Sequence, residues 1–148
     1  MRCPIFQREE NYNEYLRLLQ DDDYTDITYD EASGGVSAVH KRHKFDKQWG
    51  CYGMRRGDYE LSVLDVMRKS GHRIILESEI ATQHMKKCDG TIDDVPMEIK
   101  AIEGMGTWAI STKLCDADRQ HAQCAILVNV SFRRMISCTI SSMCQKVG

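Results

Sequence analysis

Residues Cys88–Gly104 read CDGTIDDVPMEIKAIEG, and this stretch decides how the rest of the chain is read. Its second half alternates apolar and polar residues with the two-residue period of a strand, and the pair Asp93-Asp94 interrupts it with turn chemistry. The reading is a hairpin: MKKCDGTI up one strand, a turn at Asp93-Asp94, and VPMEIKAI down the next. Alternation sends Glu98 and Lys100 to one face and Met97 and Ile99 to the other. We expect Met97, Ile99 and Ile102 to face helices, leaving Glu98 and Lys100 to a cleft with Asp89 beside them from the preceding strand.

Working outward, DYELSVLDVMRKSG (58–71) carries the signature of a helix, with Asp58 as N-cap, Leu61, Val63, Leu64, Val66 and Met67 turned inward, and Gly71 closing it. HRIILES (72–78) is a β-rich run. A second helix is predicted from about Ala109 to Ala122. CAILVNV (124–130) is a continuous apolar run of the kind a strand covered on both faces shows. The order is helix, strand, strand, strand, helix, strand, which implies an α/β architecture with a central mixed sheet flanked by helices. The tail FRRMISCTISSMCQKV (132–147) is read as a possible helix.

Residues 1–50 are read as an N-terminal extension to a domain at 51–148. The extension opens with an amphipathic helix built on Tyr12, Tyr15, Leu16, Leu18 and Leu19. It continues with an acidic run at 21–31 that is expected to be exposed, a short strand at VSAVH (36–40), and the basic cluster HKRHK (40–44).

A chain of 148 residues, 42% hydrophobic, supports one domain with a substantial core. Its formal charge of −2 excludes polyanion binding through bulk charge, so any nucleic-acid partner is held by local basic patches. Seven cysteines with no CxxC spacing suit neither tetrahedral zinc nor a disulfide framework. They are expected to be mostly buried free thiols, in keeping with a cytoplasmic setting and no membrane partner.

Two carboxylates converging in a cleft repel each other unless a cation sits between them, and a hard divalent ion bound through oxygen is the usual solution. Asp89 and Glu98, with the carbonyl of Ile99, are candidate ligands of Mg²⁺ (or Mn²⁺). Lys100 is then placed to orient a water or to stabilise charge on a phosphate.

Asp89 followed by Glu98-Ile99-Lys100 resembles the D…(D/E)xK signature of the PD-(D/E)xK nuclease superfamily, the restriction-endonuclease-like fold, whose α-β-β-β-α-β core is the order read above. The resemblance spans roughly residues 58–130. It implies a metal-dependent nuclease in which Glu60, on the first helix, completes a metal set with Asp89 and Glu98, and Gln120, on the second, assists. There is no proline before Asp89, where the family often has one.

The chain also resembles the C-terminal nuclease toxin domains of contact-dependent growth-inhibition and phage proteins, through Gly57, Tyr59-Glu60, Asp89-Gly90, Glu98-Ile99-Lys100, Gln120 and AILV. That likeness implies a bacterial or phage setting, RNA (including tRNA) or DNA as substrate, and an immunity protein as a possible partner. Part of that group uses a metal-free, barnase-like ribonuclease fold, for which His40, His43, Lys100, Thr107 and Ser111 are the candidates here. His40, Lys41, His43, Arg55, Arg56, Lys86 and Lys87, with Trp49 and Tyr52 nearby, form a candidate substrate-binding patch. A catalytically silent binding module, with Glu98 and Lys100 as an exposed pair on a solvated strand, is the alternative from another class.

Overall fold

In the computed structural model, residues 4–50, 53–78, 88–103, 108–129 and 134–139 are described. They form a mixed α/β structure with three helices and one seven-stranded mixed sheet. The elements are α1 (Pro4–Leu19), β1 (Tyr24–Tyr29), β2 (Val36–His40), α2 (Arg56–Lys69), β3 (Arg73–Leu76), β4 (Gly90–Ile92), β5 (Val95–Ile102), α3 (Ala109–Arg119), β6 (Cys124–Asn129) and β7 (Arg134–Thr139). From α2 to β6 the order of elements is the one predicted from sequence.

Strands lie side by side in chain order. β1 pairs antiparallel with β2, β2 parallel with β3, β3 antiparallel with β4, β4 antiparallel with β5, β5 parallel with β6, and β6 antiparallel with β7. The two parallel joints are the ones bridged by a helix, as a parallel crossover requires.

The β4–β5 hairpin forms where the alternation places it. Asp93 and Asp94 take φ of 48° and 67°, the paired left-handed conformation of a two-residue hairpin turn. Asp93 earns its place twice, accepting the Arg73 backbone N–H at 2.9 Å and meeting His72 Nδ1 at 2.7 Å. Gly90 cannot carry a side chain, because a Cβ there would lie 1.9 Å from the carbonyl oxygen of Ile75 on the adjoining strand. The close approach of β3 to β4 beside Asp89 therefore depends on the glycine of the Asp-Gly pair.

The sheet is covered on both faces. α2 lays Tyr59, Val63, Leu64 and Met67 on one face against Val39, Ile74, Leu76, Ile92, Met97, Ile99, Ile126 and Val128. α3 covers part of the other with Leu114 and Ala117 against Ile102, Ala125 and Leu127. α1 takes the remainder of that face, packing Leu18 on Ala38 and Ile75.

Several expectations need correction. Ile102 shares the parity of Glu98 and Lys100, and packs under α3 rather than with Met97 and Ile99. Asp58 is the N3 residue of α2, not its N-cap. Arg55 holds the cap position, and its backbone N–H donates to the Asp58 carboxylate at 3.3 Å. Leu61 and Val66 turn to solvent.

The acidic run contains β1, an edge strand with a bulge between Thr25 and Thr28 and Asp26 at φ 52°. Such a strand needs a partner for its backbone more than a hydrophobic side. The tail read as a helix instead supplies β7, which closes the other edge.

Residues 1–50 do not stand apart, since β1 and β2 belong to the same sheet and β2 pairs directly with β3. α1 docks differently from the expected Tyr–Leu stripe, with Tyr12, Leu16 and Leu19 exposed. Its buried contacts are Leu18 and, two turns earlier, Asn11. The Asn11 side chain donates to the carbonyls of Gly34 at 2.9 Å and Gly71 at 3.1 Å, and accepts from Arg73 at 3.0 Å. Among the described residues Cys88, Cys115 and Cys124 are free thiols, and none is fully buried, contrary to expectation: Cys88 and Cys124 are half-buried and Cys115 is exposed. No helix among the described residues is long and apolar enough to cross a membrane.

Candidate active site

The β4–β5 pairing runs Gly90 opposite Met97, so Asp89 arrives opposite Glu98, one step beyond the ladder. Each carboxylate then secures the other's strand. The Asp89 backbone N–H donates to Glu98 Oε2 at 3.0 Å, and the Ile99 backbone N–H donates to Asp89 Oδ2 at 2.7 Å. Lys100, two residues on and on the same face, donates from Nζ to Glu98 Oε1 at 2.6 Å. Glu98 is only 2% exposed, so this is a desolvated pair and not a solvated strand face. The three residues singled out from the opening stretch meet in one place.

They lie in a cleft of about 830 Å³. Its floor is β5, with Glu98, Lys100 and Ile102. One wall is the loop before α2 and the first turns of that helix, with Lys44, Asp46, Arg56, Tyr59 and Glu60. The start of α3, which packs on the other face of the sheet from α2, adds Trp108, Ala109, Thr112 and Lys113 to the lining.

The electrostatics are unbalanced at the centre. Burial, then the neighbouring Glu98 charge, pushes the Asp89 carboxyl up to about 7, with Glu60 adding in the same direction and the Ile99 amide and Lys100 opposing. The opposing pull of Lys100 and the Ile99 amide does not outweigh burial and the Glu98 charge.

Glu60 reaches the cleft from α2, and His43 holds it there, with Nε2 at 3.1 Å from Glu60 Oε1 and Nδ1 at 2.8 Å from the Glu77 carbonyl oxygen. A carbonyl only accepts, so Nδ1 carries a proton. The contact between Nε2 and Glu60 then needs a second proton shared by the pair. Glu77 itself accepts from the Tyr24 hydroxyl at 2.9 Å, and its backbone N–H donates to the Asp89 carbonyl at 2.9 Å. Burial, together with that hydrogen bond to Glu77, pushes Tyr24 up to about 12. A polar chain thus runs from β1 through the end of β3 to the cleft.

Among the described residues no group of three or more His, Cys, Asp and Glu side chains is placed to hold a metal ion. The expected Asp89–Glu98–Glu60 set is therefore reduced to the Asp89–Glu98 pair, with Glu60 held by His43. Asp89 and Glu98 offer oxygen donors of the kind a small hard cation takes, although Lys100 Nζ and the Asp89 and Ile99 amides already engage Glu98 Oε1, Glu98 Oε2 and Asp89 Oδ2.

The other candidates are dispersed. His43 is buried behind Glu60 and is not a surface contact for substrate. His40 packs edge-on against Tyr24 with centroids 5.2 Å apart, and its Nδ1 accepts the Arg42 backbone N–H. Lys41 is exposed beside it. Arg55 lies over the Trp49 ring at 5.3 Å, and Arg56 reaches Glu103 at 3.3 Å on the cleft wall. Ser111 is exposed on α3. His40, His43 and Ser111 do not gather around Lys100 as metal-free histidine chemistry needs; only Lys100 of these lines the cleft.

Gln120 ends α3 outside the cleft lining. Its backbone carbonyl accepts from the Cys88 thiol at 3.1 Å, and its side-chain oxygen is buried without a partner among the described residues. Lys86, Lys87, Tyr52 and Thr107 lie outside the described residues.

Trp108 and Lys113 are cleft residues that reading by motif did not single out, and Lys44 was read only as part of the basic cluster at 40–44. The available signal was position. Trp108 and Lys113 begin a helix that follows directly on the strand carrying Glu98 and Lys100, and the start of such a helix returns to the end of that strand. Comparison with protein-family models, with curated proteins and with solved structures returns no match.

Proposed function

We propose that this protein is a metal-dependent nuclease that hydrolyses phosphodiester bonds, built on a restriction-endonuclease-like core. The observation that carries the reading is the meeting of Asp89, Glu98 and Lys100 in one cleft, with Asp89 pushed up to about 7 by burial and by its carboxylate neighbour. The order of α2, β3, β4, β5, α3 and β6, with antiparallel joints around β4 and a parallel one between β5 and β6, supports the choice of scaffold.

Asp89 and Glu98 would hold Mg²⁺ or Mn²⁺. When bound, such an ion lowers the pKa of water and offsets charge on the phosphoryl oxygens. The chain's own residues do the rest. Lys100, anchored on Glu98, donates a hydrogen bond to the attacking water or to a non-bridging phosphate oxygen, and so favours the charge that grows in the transition state. Glu60, fixed by His43, adds an acceptor to the cleft lining. Arg56, Lys44 and Lys113 line its walls, where the sugar-phosphate backbone passes. Water's oxygen forms the new bond to phosphorus as one ester bond breaks, leaving a phosphate monoester and a hydroxyl.

The direct test incubates the purified protein with plasmid DNA, total RNA and tRNA in Mg²⁺, in Mn²⁺ or in EDTA. Cleavage is expected with metal and absent with EDTA. Equal cleavage in EDTA would transfer the activity to metal-free chemistry, and no cleavage of any substrate under any condition would remove the proposal.

A further inference from the structure

We propose that the cleft takes an unpaired nucleic-acid strand, with Trp108 as the surface on which a base stacks. The inference rests on the nuclease reading and goes beyond it by naming the form of the substrate.

Trp108 is 78% exposed and lines the cleft. Among the described residues no ring packs on it and no hydrogen bond reaches its indole. A tryptophan ordinarily buries most of its ring and satisfies its N–H, so an uncovered one facing a charged cleft marks a surface left for something else. Trp49 makes the contrast. It is also exposed, at 67%, but Arg55 covers its ring at 5.3 Å, and it is not part of the cleft lining.

The cations have a matching asymmetry. Arg56 is committed to Glu103, whereas Lys44 and Lys113 also line the cleft and make no ion pair among the described residues. Lys113 lies five residues after Trp108, early in α3, so the same short segment brings both an aromatic ring and an ammonium to the cleft lining. That is the pairing a flexible strand needs, phosphate on the cation and base on the ring.

A duplex meets the requirement poorly. Its base faces are already stacked on one another, so it offers an indole only edges and backbone. The cleft's 830 Å³ falls within the roughly 300–1,000 Å³ typical of sites that enclose a small molecule. It is an open cleft lined from β5, α2 and α3, which leaves room for a few nucleotides to pass Lys100.

The test is fluorescence anisotropy with labelled oligonucleotides of equal length: single-stranded RNA, single-stranded DNA and duplex DNA. Ca²⁺ replaces Mg²⁺, and a gel verifies that the strands remain intact. Single strands are expected to bind at least about tenfold more tightly than duplex. Trp108→Ala is expected to weaken them by about tenfold, the range of one lost base–aromatic stack, with duplex binding unchanged and Trp108→Phe retaining most of the affinity. The two single-stranded arms distinguish RNA from DNA. Duplex binding as tight as single-strand binding, or a Trp108→Ala variant with wild-type affinity, overturns the stacking proposal while metal-dependent cleavage, if present, keeps the nuclease reading. Absence of affinity for every oligonucleotide together with absence of cleavage overturns both. Trp108 is too exposed for its removal to disturb folding, so a loss of binding reports on the surface itself.

Discussion

Replacing Lys100 by alanine is expected to lower cleavage by about 10²–10³-fold, the usual cost of removing one preorganised donor from the position where transition-state charge develops. Lys100 Nζ lies 2.6 Å from Glu98 Oε1, and its side chain is only 20% exposed, so the ammonium is fixed before substrate arrives. The substitution removes a cation from the reacting centre without removing core packing, since Lys100 belongs to no hydrophobic cluster. The loss should therefore fall on kcat, with KM nearly constant, because the proposed backbone contacts are Lys44, Arg56 and Lys113 rather than Lys100. Glu98 would keep the Asp89 N–H as partner. Steady-state kinetics beside a thermal melt separates the outcomes. A variant that melts near the wild type and cleaves within a few-fold of it takes Lys100 out of the chemistry.

Asp89→Asn is expected to do two opposite things: abolish cleavage and raise stability at alkaline pH. Asp89 binds its proton more tightly in the folded chain, at about 7, than in the unfolded chain, near 3.8. Between these values the folded state holds the extra proton. The stability associated with it is fully present below about pH 4 and is lost as pH rises through 7. At pH 8 the wild type keeps a buried carboxylate beside Glu98, whereas asparagine carries no charge and still offers an oxygen to the Ile99 amide. The gain is expected to be on the order of 2 kcal/mol at pH 8 and to vanish near pH 4. Denaturant unfolding of both proteins at the two pH values measures it. Equal stability at pH 8 would mean that the charge on Asp89 is already compensated. Such a gain on removing a site residue is the ordinary signature of a centre held in tension for function.

What was legible in the sequence follows from where local chemistry dictates structure. The β4–β5 hairpin is written in the alternation of 95–102 and in two aspartates suited to a left-handed turn. The strand β6 is written in an unbroken apolar run, and α2 in its periodicity. From these the meeting of Asp89, Glu98 and Lys100 could be read, because all three are tied to one hairpin whose register admits few alternatives.

The remainder depends on contacts between distant segments. β1 sits in an acidic run because an edge strand is stabilised by backbone pairing and tolerates charge. α1 hides an asparagine, and no hydrophobic pattern announces a buried polar residue whose partners lie at Gly34, Gly71 and Arg73. His43 read as part of an exposed basic cluster, yet its ring turns inward to Glu60 and Glu77, partners seventeen and thirty-four residues away. The uncovered ring of Trp108 is a fact of tertiary structure that composition does not carry.

Calorimetric titration of the metal-free protein with Mn²⁺ at pH 6.5, repeated in buffers of different ionisation enthalpy, puts the pairing of Asp89 and Glu98 to the most direct test. At that pH a carboxyl pushed up to about 7 is mostly protonated, so uptake of the ion by the wild type should release roughly three-quarters of a proton per site. Asp89→Asn should lose both the binding and the proton. Binding that persists unchanged in Asp89→Asn, or a wild type that takes up no metal, would contradict a cation held between these two strands.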